Sequence, residues 1–120
     1  MPHILITDDD TELRNLLTAH LESAGHTVTA AGDGKAAMAA MAAKSPDLII
    51  MDMNMPGMTG WEAVREIKAA SSPPPVIGLS AHATAGDKDE AYEAGCDLYL
   101  EKPITPEQLL EAIKAVLNQG

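Results

Sequence analysis

Five short runs of isoleucine, leucine and valine alternate with five segments of helical periodicity along this chain. The expected strands are His3–Thr7, Thr27–Ala30, Leu48–Met51, Val76–Ser80 and Leu98–Glu101. Positions 4–6, 48–51 and 76–79 are apolar or glycine throughout, which is typical of parallel strands buried on both faces. A repeat of about 24 residues indicates βα units. We therefore predict one α/β domain over residues 1–120, with helices on both faces of a five-stranded parallel sheet.

Apolar stripes and end signals mark the helices between these strands. The first is expected to end at Gly25 and to bury Leu13, Leu16, Leu17, Leu21 and Ala24. The next three are expected over Gly34–Ala43, about Gly60–Ala70 and within Gly86–Ala94. The fifth begins at Thr105-Pro106-Glu107-Gln108, which combines an N-cap threonine, a first-turn proline and a capping-box glutamine.

The charge balance excludes several classes of partner. Eighteen acidic and eight basic residues give a net charge of −10. Such a chain has no basic surface for a phosphate backbone, so we expect no nucleic-acid partner. An anionic membrane surface would also repel it. A single cysteine, Cys96, excludes an internal disulfide and a cysteine-built metal cluster.

Signals for export or membrane insertion are absent from the sequence. The N-terminus has no basic start and reaches three aspartates by residue 10, unlike a signal peptide. The longest apolar run covers the eight residues 36–43, far short of the roughly 20 that span a bilayer. We therefore expect a cytoplasmic protein.

Charged and hydroxyl side chains follow the predicted strands. Asp8 and Asp9 follow the first strand, Asp52 the third, Ser80 ends the fourth, and Lys102 follows the fifth. Because ligands of open parallel α/β sheets bind at the carboxyl ends of the strands, we expect these side chains to converge at one edge.

The clustered carboxylates predict a divalent cation. At about 4 Å and an effective dielectric near 20, each pair of like charges costs about 4 kcal/mol. A hard cation reverses that sign, and Mg²⁺ binds carboxylate oxygens together with water and phosphate. An aspartate beside such an ion can be a nucleophile that forms an acyl phosphate, and a lysine can compensate the charge of the transferred group.

Taken in order, these residues resemble the receiver domain of two-component response regulators, in particular the stand-alone chemotaxis type. The resemblance covers nearly the whole chain and is carried by Asp8-Asp9, the segment 52–60 (DMNMPGMTG), Ser80-Ala81 and Lys102-Pro103. It implies a flavodoxin-like three-layer α/β/α sandwich with strand order 2-1-3-4-5.

The resemblance also implies a role for each acidic residue. Asp52 is the expected phospho-acceptor. Asp8, Asp9 and Asp52, together with the backbone carbonyl of Asn54, are the expected ligands of Mg²⁺. The Asn54 side chain, with His82, lies where the family tunes the lifetime of the phosphate.

The remaining implied roles concern the phosphoryl group. Lys102 would pair with its oxygens, and the peptide bond from Lys102 to Pro103 would be cis. Ser80 would donate its hydroxyl to the group and move toward it. Tyr99 lies where the family carries an aromatic ring that follows this movement.

The resemblance implies a binding module operated by phosphorylation. The donor would be a phosphohistidine on a histidine kinase or a histidine phosphotransfer protein, and output would pass to a downstream protein through helix four, strand five and helix five. The chain would catalyse only its own phosphorylation and dephosphorylation, so it is not expected to be an enzyme. Output, shuttle and phosphate-sink roles stay open, as do excision from a hybrid kinase and dimer formation by the expected monomer on phosphorylation.

Two other classes fit less well. Aspartate-nucleophile phosphatases also use an acidic strand end and Mg²⁺, but Glu12 stands where their motif has threonine or valine. Flavin-binding relatives of the same architecture need a phosphate-cradling loop after the first strand, and none follows here. The aspartates after the first strand also have a purely structural interpretation as helix caps, which suits Asp10 best.

Overall fold

The described part of this computed structural model comprises residues 2–53, 60–70, 73–80 and 85–117. Strands and helices alternate from end to end. The strands are β1 (His3–Thr7), β2 (Thr27–Ala31), β3 (Leu48–Asp52), β4 (Val76–Ser80) and β5 (Leu98–Glu101). The helices are α1 (Thr11–Ser23), α2 (Gly34–Ala43), α3 (Gly60–Lys68), α4 (Ala85–Ala94) and α5 (Pro106–Leu117).

All five strands form one parallel sheet in the order β2-β1-β3-β4-β5. The predicted fold class and strand order are therefore confirmed. β1 lies between β2 and β3, with Thr7 opposite Ala31 on one side and Met51 on the other. The strand ends consequently lie side by side, and the loops that follow them share one edge of the sheet.

Alternate residues of the central strands pack into two separate apolar layers. Ile4 and Ile6 of β1 belong to the layer built with α1 and α5, whereas Leu5 belongs to the layer built with α2, α3 and α4. β1, β3 and β4 are buried along their full length. This double burial explains why the three strands lack the polar–apolar alternation of a half-exposed strand.

Helix α1 corrects part of the predicted buried stripe. Leu17 and Leu21 are buried, but the side chain of Leu16 is 49% exposed. Neighbouring helical residues are about 100° apart, so Leu16 turns away from the face set by Leu17 and Leu21. Ala24 is also exposed, because it is the C-cap that follows the last helical residue.

Two helix starts show the predicted capping contacts. The Asp10 carboxylate accepts a hydrogen bond from the Leu13 N–H at 3.2 Å. At α5, the Gln108 N–H donates to Thr105 Oγ1 at 3.1 Å, and the Thr105 N–H donates to Gln108 Oε1 at 2.9 Å. Each contact satisfies an N–H that has no partner within the helix.

Because Gly78 in β4 has no side chain, larger side chains of neighbouring residues pack against its backbone. An added Cβ there would lie 3.1 Å from Cys96 Sγ and 3.2 Å from both Met53 Sδ and Tyr99 Cδ1. The space above the glycine is therefore filled by its neighbours, and Tyr99 is only 4% exposed.

No helix in the described ranges combines the length and the apolarity that crossing a bilayer requires.

The buried thiol of Cys96 makes stability fall at alkaline pH. Burial, followed by the charge of Asp97, raises its pKa to about 12 despite the opposing charge of Lys68. The unfolded thiol loses its proton near pH 9 and the folded one does not, so stability decreases as the pH rises between these values. We expect wild type to lose about 1 kcal/mol per pH unit between pH 9.5 and 11 relative to Cys96→Ala, measured by urea unfolding. Parallel pH profiles for the two proteins would contradict this.

Candidate functional site

The functional side chains meet at the carboxyl edge of the sheet because backbone hydrogen bonds continue beyond the strand ends. The Asp8 N–H donates to the carbonyl of Ala31 at 3.1 Å, and the Lys102 N–H donates to the carbonyl of Ser80 at 2.7 Å. The N–H of Met53, the residue after Asp52, donates to the Leu79 carbonyl at 2.8 Å. These bonds fix the main chain at Asp8, at Lys102 and directly after Asp52.

Asp8 lies at the centre of the site and is 1% exposed. Its Oδ1 accepts a hydrogen bond from the Asp10 N–H at 2.9 Å, and its Oδ2 accepts one from Lys102 Nζ at 2.9 Å. Both carboxylate oxygens therefore have donors, which offsets the cost of burying the charge.

Lys102 bridges two of the carboxylates. Its Nζ lies 2.9 Å from Asp8 Oδ2 and 3.6 Å from Asp52 Oδ2. Burial alone would lower the pKa of the ammonium, but the hydrogen bond to Asp8 and the charges of Asp52 and Asp8 outweigh it, so the pKa lies above its ordinary value of 10.5. Lys102 therefore remains charged at neutral pH and partly neutralises the acidic group.

The three predicted acidic residues form a group that suits a divalent cation. One carboxylate oxygen from each of Asp8, Asp9 and Asp52 lies within 4.8 Å of the others. Asp8 and Asp52 are buried, whereas Asp9 is exposed. A donor set made only of carboxylate oxygens, open on one side, fits the preference of Mg²⁺ for a few protein oxygens together with water.

The two residues predicted to respond to phosphorylation are both buried. Ser80 is 1% exposed at the end of β4, and Tyr99 lies in β5 opposite Gly78. The peptide bond between Lys102 and Pro103 is cis, the isomer that the resemblance implies. The other two predicted residues, Asn54 and His82, lie outside the described residues.

Arg14 is a neighbour of the site that the sequence analysis did not single out. Its Nη1 donates a hydrogen bond to the backbone carbonyl of Asp8 at 2.6 Å. An arginine in the first turn of a helix is ordinarily a surface residue. The only signal in the sequence is its position four residues after Asp10, the N-cap of α1.

Comparison with known families gives a match over most of the chain. The family model described as "Response regulator receiver domain" matches residues 4–114. Among curated proteins, "Response regulator MprA" of Mycolicibacterium vanbaalenii is 33% identical over 116 residues, which cover 97% of this chain and 50% of that protein. "Protein PetR" of Rhodobacter capsulatus is 36% identical over 118 residues, which cover 98% of this chain and 49% of that protein. The chain thus spans about half the length of these relatives.

Two solved structures with the same fold match this chain over nearly the full length of both proteins. The Vibrio cholerae chemotaxis protein CheY4 superposes with a TM-score of 0.91 at 33% identity, covering 97% of this chain and 98% of that one. A CheY-like receiver domain protein from Methanospirillum hungatei gives a TM-score of 0.94 at 28% identity, with coverages of 99% and 95%.

Removing the ammonium at position 102 should destabilise the metal-free protein. In Lys102→Met the buried Asp8 loses a charged donor, and its repulsion with Asp52 is no longer offset. We expect a loss of about 1–3 kcal/mol in the free energy of unfolding at pH 7 with EDTA present, measured by urea denaturation.

Two further variants test the cause of this loss. Adding Asp8→Asn to Lys102→Met should recover part of the stability, because the second change removes the unpaired charge. Lys114→Met, which removes an exposed lysine of α5, should change stability little. If Lys102→Met were as stable as wild type, the ammonium would not be offsetting the carboxylate repulsion.

Proposed function

We propose that this chain, which belongs to the family of response regulator receiver domains, is a phosphorelay receiver. It would take a phosphoryl group from phosphohistidine onto Asp52. The observation that supports this most directly is that Asp52 lies 3.6 Å from Lys102 Nζ and has a carboxylate oxygen within 4.8 Å of those of Asp8 and Asp9. An acceptor carboxylate needs such neighbours to receive an anionic group.

In this proposal the Asp52 carboxylate oxygen is the nucleophile. It attacks phosphorus, and the bond from phosphorus to the histidine nitrogen of the donor breaks with its electron pair going to that nitrogen. An acyl phosphate is left on Asp52, and the donor ring takes up a proton from solvent to become a neutral imidazole. Asp52 is the last residue of β3 and is 2% exposed, so little water competes with the donor for its carboxylate.

Asp8, Asp9 and Asp52 would hold Mg²⁺, with the Asn54 backbone carbonyl as the fourth protein ligand that the family resemblance implies. When bound, the ion supplies positive charge that offsets the anionic charge of the transferred group. Lys102 makes the complementary contribution from the protein, because its ammonium reaches the same group of carboxylates and can pair with phosphoryl oxygens.

Ser80 and Tyr99 would convert phosphorylation into a conformational signal. Ser80 ends the strand next to Asp52, where its hydroxyl could donate to a phosphoryl oxygen after a small movement. Tyr99 is packed over Gly78 of the same strand, so a shift of β4 would change the space available to the ring. Asn54 and His82 would tune the lifetime of the phosphate.

Output would leave through the surface formed by α4, β5 and α5. Tyr92 of α4 is 47% exposed and offers an aromatic ring with a polar hydroxyl to a partner. On the neighbouring elements, a cavity of about 360 Å³ is lined by apolar and acidic residues that include Leu100, Ile104, Glu101 and Glu111. An exposed ring and a partly apolar cavity are suited to a protein partner.

The stand-alone state belongs to the same proposal. It is supported by the two solved receiver chains, which match this chain over 98% and 95% of their own lengths. In such a protein, residues 1–120 form the whole domain in the cytoplasm, and a histidine kinase or a histidine phosphotransfer protein supplies the phosphate. The chain would be a monomer that catalyses only reactions of its own Asp52.

Asp52→Asn should abolish phosphoryl uptake and leave the fold intact. The amide cannot form the acyl phosphate, and it also relieves repulsion with Asp8. With a small acyl phosphate and Mg²⁺, wild type should gain one phosphoryl group by intact-protein mass spectrometry, whereas the variant should gain none.

Asp89→Asn is the matched control, since Asp89 is an exposed aspartate of α4. It should be phosphorylated like wild type. Uptake at normal stoichiometry by Asp52→Asn would disprove the assignment of the acceptor. Many turnovers of the donor by wild type, with no retained phosphate, would favour a phosphatase instead.

Magnesium should raise thermal stability, because it binds the folded acidic group and not the dispersed carboxylates of the unfolded chain. A concentration ten times Kd corresponds to about 1.4 kcal/mol, or roughly 3–8 °C in Tm for a domain of this size. Melting is followed by circular dichroism in MgCl₂ against NaCl of equal ionic strength. The Asp8→Asn/Asp9→Asn double variant should not respond, and an equal response in both proteins would place the ion elsewhere.

A further inference from the structure

The Arg14 guanidinium contacts the main chain of the acidic site and not its carboxylates. Arg14 lies in the first turn of α1, where its own N–H donates to the Asp10 carbonyl at 2.9 Å. Its side chain turns back toward β1, and Nη1 donates to the Asp8 carbonyl oxygen at 2.6 Å. This short, charge-assisted hydrogen bond ties the helix to the peptide that follows Asp8.

That peptide connects two of the three acidic side chains. The Asp8 carbonyl belongs to the planar unit whose other end is the Asp9 nitrogen, so its orientation constrains the direction in which each carboxylate leaves the main chain. The Asp8 N–H is fixed separately by the Ala31 carbonyl at 3.1 Å. Together the two bonds hold both peptides that flank the Asp8 Cα.

Gly32, directly after β2, leaves the space that the guanidinium occupies. A Cβ at this position would lie 3.2 Å from Arg14 Nη1 and 3.7 Å from Arg14 Cζ. The backbone of Gly32 is outside the left-handed region, unlike Gly25 and Gly95. An alanine at this position would therefore have an ordinary backbone, and the guanidinium would have to shift by a few tenths of an ångström to accommodate its methyl group.

We propose that Arg14 is a positioning residue for the magnesium site, which acts through the Asp8 carbonyl, and that Gly32 preserves its position. This inference rests on the proposed function, because it assumes that Asp8 and Asp9 hold the ion. Partners that orient metal ligands commonly change affinity by 10- to 100-fold when they are removed.

Charge and position predict opposite effects for Arg14. If the guanidinium acted only as a nearby positive charge, its removal would make the acidic group more attractive to Mg²⁺ and tighten binding. If it positions the Asp8–Asp9 peptide, its removal loosens the ligands and weakens binding. The direction of the change therefore separates the two roles.

The test is calorimetric titration of MgCl₂ into wild type, Arg14→Met and Gly32→Ala at constant ionic strength. We expect Arg14→Met to weaken Mg²⁺ binding by about tenfold. Gly32→Ala should also weaken binding although it changes no charge, because the added methyl displaces the guanidinium. Arg14→Lys, which keeps one donor at this position, should lie between Arg14→Met and wild type.

Controls separate this positioning effect from general damage to the fold. In the double variant, Gly32→Ala should add little to Arg14→Met, since no guanidinium remains to displace. Arg65→Met removes an exposed arginine of α3 and should leave Mg²⁺ affinity near the wild-type value. Melting of each variant in EDTA shows whether the affinity change occurs in a folded protein.

The possible outcomes distinguish the two proposals. Unchanged or tighter binding by Arg14→Met overturns the positioning role of Arg14 while the magnesium site stands, and unchanged binding by Gly32→Ala overturns the role of Gly32. No binding of Mg²⁺ by wild type overturns the magnesium site and the positioning role together. Weakening in both single variants, with intermediate binding by Arg14→Lys, supports the inference.

Discussion

Repulsion among three carboxylates at one edge of the sheet is the constraint on which the site depends. Asp8, Asp9 and Asp52 bring oxygens within 4.8 Å of one another, a separation at which each like-charge pair costs several kcal/mol. Two devices of the chain itself moderate this cost: Lys102 reaches two of the carboxylates, and Asp8 accepts a backbone N–H. The residual excess of negative charge is the physical basis of the cation binding, and of the phosphoryl transfer, that we propose for this site.

The scaffold maintains this arrangement through its two apolar layers. The three central strands are buried along their full length, so the rows of backbone hydrogen bonds that set the strand ends are shielded from water. The bonds from Asp8 to Ala31 and from Lys102 to Ser80 extend those rows into the site. Gly78 lets the Tyr99 ring pack beside β4, the strand that ends in Ser80. This contact connects the apolar core to the carboxyl edge of the sheet, where the site lies.

The sequence predicted the elements to within a residue or two, because continuous apolar runs and capping residues are local signals. The predicted end of β2 at Ala30 fell one residue short of Ala31, because the alternation of polar and apolar residues does not show at which of these two alanines the strand ends. The predicted burial of Leu16 and Ala24 was wrong. An apolar side chain shows only that burial is favourable, and whether a neighbouring element covers it depends on how α1 lies on the sheet.

For the site, the sequence by itself determined which chemical groups follow each strand: Asp8 and Asp9, Asp52, Ser80 and Lys102 all stand at strand ends, and a parallel sheet places its strand ends together. Only the tertiary structure decided which groups pair. Lys102 lies 2.9 Å from Asp8 but 3.6 Å from Asp52, and Arg14 reaches a main-chain carbonyl in a space that Gly32 leaves open. Such contacts depend on distances of a few tenths of an ångström between segments far apart in the chain, and these distances are set by the packing of helices on the sheet and not by any local pattern of residues.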